Sequence, residues 1–203
     1  MAWAIWITGL PGSGKTTIAQ GVATRLAAAG RAVRVLELDA IRRIVTPDPT
    51  YSPEERSVLY RSLAVMAALL VEAGHNVIVD ATAHRRAYRN LARSLIPRFA
   101  EVYLRCPLEI CRERERRRFG GYAPRHIYEQ AVRLGAPVPG IGVAYEPPEA
   151  PELIIESGGR GPADAVEEIV AMVEERLEGS VPAAAAFLWK VGSAAPGRDF
   201  GRN

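Results

Sequence analysis

Up to about residue 156, strand-length apolar runs alternate with longer stretches in which apolar positions recur every three or four residues. The runs, rich in β-branched and aromatic residues, predict strands at residues 4–8, 32–38, 76–80, 101–105 and 153–156. The amphipathic stretches predict helices at 16–29, 53–73, 86–95, 108–119 and 162–177. Strands that alternate with helices in this way build a parallel sheet covered on both faces. The predicted fold class is therefore α/β, a three-layer α/β/α domain with a mostly parallel five-stranded sheet spanning residues 1–178. Local chemistry agrees with the boundaries. Ser52-Pro53 supplies a cap and a first-turn proline for the second helix, and Gly30 and Gly74 fit left-handed helix ends.

One junction carries chemistry. Between the first strand and the first helix lies Gly9-Leu10-Pro11-Gly12-Ser13-Gly14-Lys15-Thr16-Thr17. A glycine loop placed so, and followed by Lys-Thr, is a phosphate-binding P-loop. Its glycines let consecutive N–H groups turn toward an anion, and the helix adds its positive end at the same point. Lys15 is expected on the β- and γ-phosphates of ATP and the Thr16 hydroxyl on Mg²⁺. Phosphoryl transfer also needs carboxylates, and in an open parallel sheet ligands gather at the carboxyl ends of the strands. Asp39 and Asp80 are read there, with Glu37 one strand repeat before Asp39 and so on its face. Asp39 is expected to prepare the attacking hydroxyl, and Asp80 to order the waters of the magnesium ion.

Arginines gather where a second anion would need them: Arg42 and Arg43 after Asp39, then Arg56 and Arg61. The run Arg112-Glu113-Arg114-Glu115-Arg116-Arg117-Arg118 alternates in sign, as a solvated helix face does, and Arg114 is its strongest candidate for a functional role. Glycines and prolines fill residues 120–151, a long segment that reads as an ordered loop; a lid over the active site, about 116–150, is the expected use.

Composition narrows the setting. The chain has 203 residues, enough for one well-buried domain, and its net charge of +3 gives no case for binding nucleic acid. Only Lys15 and Lys190 are lysines among 26 basic residues, and one of the two stands in the P-loop. Cys106 and Cys111 match no zinc or dithiol spacing and are expected as buried thiols. No apolar run approaches a membrane span and no secretory leader is visible, so a cytoplasmic protein is expected. Residues 179–203 form an Ala-rich tail with Phe187, Leu188 and Trp189; the oligomeric state stays open, a homodimer included.

These motifs together resemble the adenylylsulfate kinases, P-loop kinases that phosphorylate the 3′-hydroxyl of adenylyl sulfate. Besides the P-loop, Leu36-Glu37-Leu38-Asp39-Ala40-Ile41-Arg42 resembles the family's Leu-Asp-Gly-Asp-Asn-Ile-Arg, and Tyr51-Ser52 through Glu55-Arg56 its Phe-Ser…Glu-Asp-Arg. Pro107-Leu108-Glu109-Ile110-Cys111 resembles the start of a helix whose arginine, here Arg114, lies beside ATP. Gly140-Ile141-Gly142 through Tyr145-Glu146 is similar to the family's lid. The resemblance implies Asp39 at the magnesium and the acceptor hydroxyl, and Arg42, Tyr51, Arg56 and Ile141 at the substrate. Tyr51 would stack on adenine, and Arg56 would meet the sulfate-phosphate end. Departures accompany it: Glu37-Leu38 replaces Asp-Gly, Leu59 replaces an Asn that contacts substrate, and Val138-Pro139 replaces the lid aromatic. Ala83-His84-Arg85-Arg86 replaces Ser-Pro-Tyr-Arg after an added Asp80, and residues 116–125 read as an insertion. The same chemistry on another small molecule, nucleotide derivative or polynucleotide end is the alternative, and a nucleotide-binding regulator that docks through the tail is a third reading.

Overall fold

The computed structural model describes residues 1–118, 120–124 and 126–179. The tail around Trp189 and the predicted end of a helix at Phe119 lie outside the described residues. Five strands form the sheet: β1 (Ala4–Thr8), β2 (Val33–Glu37), β3 (Asn76–Asp80), β4 (Phe99–Arg105) and β5 (Leu153–Glu156). Their order is β2-β3-β1-β4-β5 and every pairing is parallel. β1 is buried at all five positions because it lies in the middle of the sheet, covered on both faces.

The helices are α1 (Lys15–Ala28), α2 (Leu38–Val45), α3 (Pro53–Glu72), α4 (Arg86–Leu95), α5 (Leu108–Arg117), α6 (Ile127–Leu134) and α7 (Pro162–Met172), the last continued by a π-helical stretch, Val173–Glu178. One core packs α1 and α7 on the sheet through Ile5, Ile7, Val22, Leu26, Ile169 and Val173. The opposite core packs α3 and α4 through Trp6, Leu59, Leu63, Val79 and Ala92. A smaller cluster around Cys106, Cys111 and Tyr128 seats α5 and α6 beside the P-loop, and both thiols are buried and free. Ser52 caps α3 by accepting from the Glu55 amide, and Gly30 and Gly74 take positive φ after α1 and α3. Among the described residues, no helix is long and apolar enough to cross a membrane.

Two expectations need correction. The second strand stops at Glu37, where pairing with β3 ends at Glu37 and Asp80, and the chain turns at once into the unpredicted α2. Asp39 therefore sits in the first turn of a helix, not at a strand end, and shares no strand face with Glu37. The segment read as loop over 120–151 contains α6, held by burial of Tyr128 and Ala131.

The carboxyl edge of the sheet is held by a buried cation. Arg89 on α4, 1% exposed, ion-pairs with Glu101 of β4 and donates to the carbonyls of Ala83 and Glu146. It thereby fixes the turn after β3, where Ala83 takes φ 41°, against the chain at Glu146. Next to it His84 is 4% exposed, and its Nδ1 is buried with no hydrogen-bond partner. Burial, then the nearby Arg56 and Arg85, pulls its pKa down to about 4. The folded protein thus holds His84 neutral where the unfolded chain, at 6.5, already takes up a proton. This contribution to stability is complete above about pH 6.5 and is lost as pH falls through 4. In denaturant titrations, His84→Phe should gain about 3 kcal/mol on wild type between about pH 7.5 and 4. A constant difference between the two proteins would show that His84 titrates normally.

Candidate active site

The P-loop runs from β1 to α1 in a shape only glycine permits at two points. Gly9 and Gly12 have φ 150° and 80°, and a Cβ there would stand 2.6 Å from the Leu104 carbonyl oxygen and 2.4 Å from that of Cys111. The loop is thus wedged against β4 and α5 at backbone distance. Gly14, also at positive φ, is the N-cap residue of α1 and turns the amides at the head of that helix toward one point. The Lys15 ammonium donates to the carbonyls of Gly9, 3.2 Å, and Leu10, 3.0 Å. Burial lowers its pKa, while Asp80 and Asp39 oppose that shift.

A cavity of about 530 Å³ opens over this loop. Pro11, Gly12 and Gly14 through Thr17 form one end of it, whereas Gly9, Leu10 and Ser13 lie behind the lining. Leu10 instead packs into the cluster around Cys111. Arg114 of α5 lines the same cavity and donates to the Ser157 carbonyl, 2.8 Å. Asp80 and Asp39 line the middle. Asp80 is 4% exposed, the Thr16 side chain lies close to it, and Oδ2 has no partner. Burial raises its pKa, against the pull of Lys15 and Thr16. Asp39, half-buried on the first turn of α2, faces the cavity from the other side.

At the far end stand Arg42, Tyr51 and Arg56. The Tyr51 ring lies beside both guanidinium groups, 4.9 Å from that of Arg42 and 5.7 Å from that of Arg56. Tyr51 has φ 55°, an unfavourable region for an aromatic residue. The Glu55 carboxylate compensates by accepting from the amides of Thr50 and Tyr51, the Thr50 hydroxyl and Arg42. Burial works to raise the pKa of Glu55, but these hydrogen bonds and Arg42 bring it below the usual carboxylate range. Arg56 donates to the carbonyls of Tyr51 and Pro137, so it ties this loop to the segment after α6.

The segment after α6 contributes Ala136 through Pro139 to the cavity wall. Ile141 is not brought in: it lies on an exposed turn whose amide bonds back to the Val138 carbonyl, and Val138 and Pro139 line the cavity instead. Arg43 and Arg61 face solvent. Helical phase sorts the charge run of α5, with Arg114, Glu115 and Arg118 turned to the cavity and Arg116 and Arg117 outward. Glu115 and Arg118, which sequence reasoning did not single out, pair at 3.0 Å. Their spacing from Cys111 and Arg114 was the available signal. Tyr60 was also missed. Leu59, at the place of the expected substrate-contacting Asn, is buried in the core, and the next residue lines the cavity.

Similarity to known proteins bears on this chemistry. A family model for adenylylsulphate kinase matches residues 1–156. The adenylyl-sulfate kinase of Bacillus licheniformis is 35% identical over 177 residues, covering 86% of this chain and 86% of its own length. That of a Synechococcus strain is 34% identical over 173 residues, with 85% of this chain and 94% of its own covered. Among solved structures, the APS kinase CysC of Mycobacterium tuberculosis in complex with AMPPNP and APS superposes with a TM-score of 0.74. It is 30% identical, over 85% of this chain and 98% of that one.

Proposed function

The chain belongs to the adenylylsulfate kinase family, and on that premise we propose that it transfers the γ-phosphoryl group of ATP to the 3′-hydroxyl of adenylyl sulfate. The observation that carries this reading is one cavity with a phosphate loop at one end, two arginines around an aromatic ring at the other, and two carboxylates between them.

ATP lies with its phosphates on the amides of the P-loop and its base toward Arg114. The Lys15 ammonium, now hydrogen-bonded to the loop carbonyls, moves to the β- and γ-phosphates. The acceptor's adenine stacks on Tyr51, and its sulfate-phosphate end meets Arg42 and Arg56. Asp39 orients the 3′-hydroxyl and accepts its proton as the oxygen attacks the γ-phosphorus and the bond to the β-phosphate oxygen breaks. Thr16, Asp80 and Asp39 are the residues for Mg²⁺. The bare Asp80 Oδ2 beside the Thr16 hydroxyl is hard-oxygen chemistry that suits this ion. Among the described residues no group of three or more His, Cys, Asp or Glu side chains could hold a metal ion, so substrate phosphates and water would complete the shell. When bound, the ion neutralises charge on the phosphate oxygens.

Coupled ADP-release assays with adenylyl sulfate should show turnover, with a product one phosphoryl group heavier by mass spectrometry. ADP release that does not depend on adenylyl sulfate would remove this acceptor.

A further inference from the structure

Tyr60 lies one turn beyond Arg56 on α3, so both side chains leave the helix on one face and reach the same end of the cavity. The residue is only 2% exposed. Its ring is clamped by Tyr88, stacked at 4.7 Å, and by His84, edge-on at 6.1 Å. The phenol oxygen is approached by the backbone N–H of Ala83, in the turn that Arg89 immobilises. No hydrogen bond from its O–H exists among the described residues, so the proton is left to donate.

The charges that act most on the hydroxyl are the cations Arg56 and Arg42, followed by Asp39, and Arg42 Nε is buried with no partner. Burial outweighs these cations and raises the phenol to about 12, so the group keeps its proton at neutral pH. Arg42 and Arg56 are otherwise paired with Glu55 and with the Tyr51 and Pro137 carbonyls. Arg42 Nε and the Tyr60 hydroxyl have no acceptor, and buried donors left so are costly unless a ligand supplies the oxygens. We propose that Tyr60 is a specificity-determining residue of the acceptor site, donating its O–H to the oxyanion end of the acceptor beside Arg42 and Arg56. This rests on adenylyl sulfate as the acceptor and assigns one more residue to its recognition. An acceptor without an oxyanion at that point leaves the phenol unmatched in a buried site, which is how hydrogen-bonding pockets reject analogues.

Calorimetry with the nucleotide site filled by AMPPNP tests it. Wild type and Tyr60→Phe are each titrated with adenylyl sulfate and with adenosine, which shares the base and ribose but has no anion. Tyr60→Phe should bind adenylyl sulfate roughly 10-fold or more weakly, the loss expected for one hydrogen bond to a charged group. Its affinity for adenosine should stay within about twofold, because the ring and its packing remain. In turnover assays KM for the acceptor should rise while KM for ATP does not move. Equal affinity of the two proteins for adenylyl sulfate overturns the proposal. So does an equal loss on both ligands, which would mark a packing role. A wild type that binds no adenylyl sulfate overturns the acceptor assignment itself, and the Tyr60 assignment with it, a result distinct from both of the others.

Discussion

Lys15→Ala should lower turnover by ~10³-fold or more while leaving the fold in place, a loss of about 4 kcal/mol of transition-state stabilisation. Lys15 is the one cation of the P-loop itself, and its ammonium already stands over the loop, bonded to the Gly9 and Leu10 carbonyls. Charge that builds on the transferred phosphoryl group and the leaving oxygen finds no equivalent there once it is gone. Arg42 and Arg56 are engaged at the other end of the cavity by Glu55, Tyr51 and Pro137. The loop should keep its shape, because Gly9 and Gly12 wedged against Leu104 and Cys111 determine it. The measurement is kcat by ADP release together with the melting temperature. Turnover within tenfold of wild type at saturating substrates would show that the loop amides suffice.

Asp39→Asn should cost about as much, ~10³-fold in kcat, for a different reason. The amide keeps the size of the carboxylate and can still hydrogen-bond, but it cannot accept the proton of the attacking hydroxyl. Asp80 cannot replace it: its carboxylate is buried, turned to the Thr16 hydroxyl, and held beside Lys15. Glu37 is also displaced, since it ends β2 at the register of Asp80 while Asp39 has moved onto α2. The binding of AMPPNP should change far less than kcat, and that contrast separates a role at the acceptor hydroxyl from one at the nucleotide. If kcat survives and nucleotide affinity falls instead, Asp39 belongs to the magnesium alone.

Much of this site was legible before any coordinates. The P-loop is built from consecutive residues, so glycine spacing, the lysine and the flanking periodicities define it without help from the rest of the chain. The same holds for the start of α3, where Ser52, Pro53 and Glu55 make a self-contained cap. Even the arginines of the acceptor end were apparent, because Arg42 and Arg56 each stand beside a local signal: Asp39 for one, the cap for the other.

What sequence left undecided depended on contacts between distant segments. Whether residues 38 and 39 continued a strand or opened a helix was settled by where β3 stops offering a partner, at Asp80. The short amphipathic run at 127–134 sits among glycines and prolines and becomes a helix because Tyr128 and Ala131 find an apolar seat beside Cys106 and Cys111. Which of two adjacent α3 residues enters the cavity, Leu59 or Tyr60, was a matter of helix rotation against the sheet, decided by the packing of Leu63 and Ala67. By itself the sequence determined a glycine loop whose main-chain amides gather at the head of a helix, for those are held by neighbours along the chain. Only the tertiary structure decided which side chains line the far end of the cavity, because that wall is assembled from α2, α3, the turn after β3 and the segment after α6, and no local rule fixes their mutual placement.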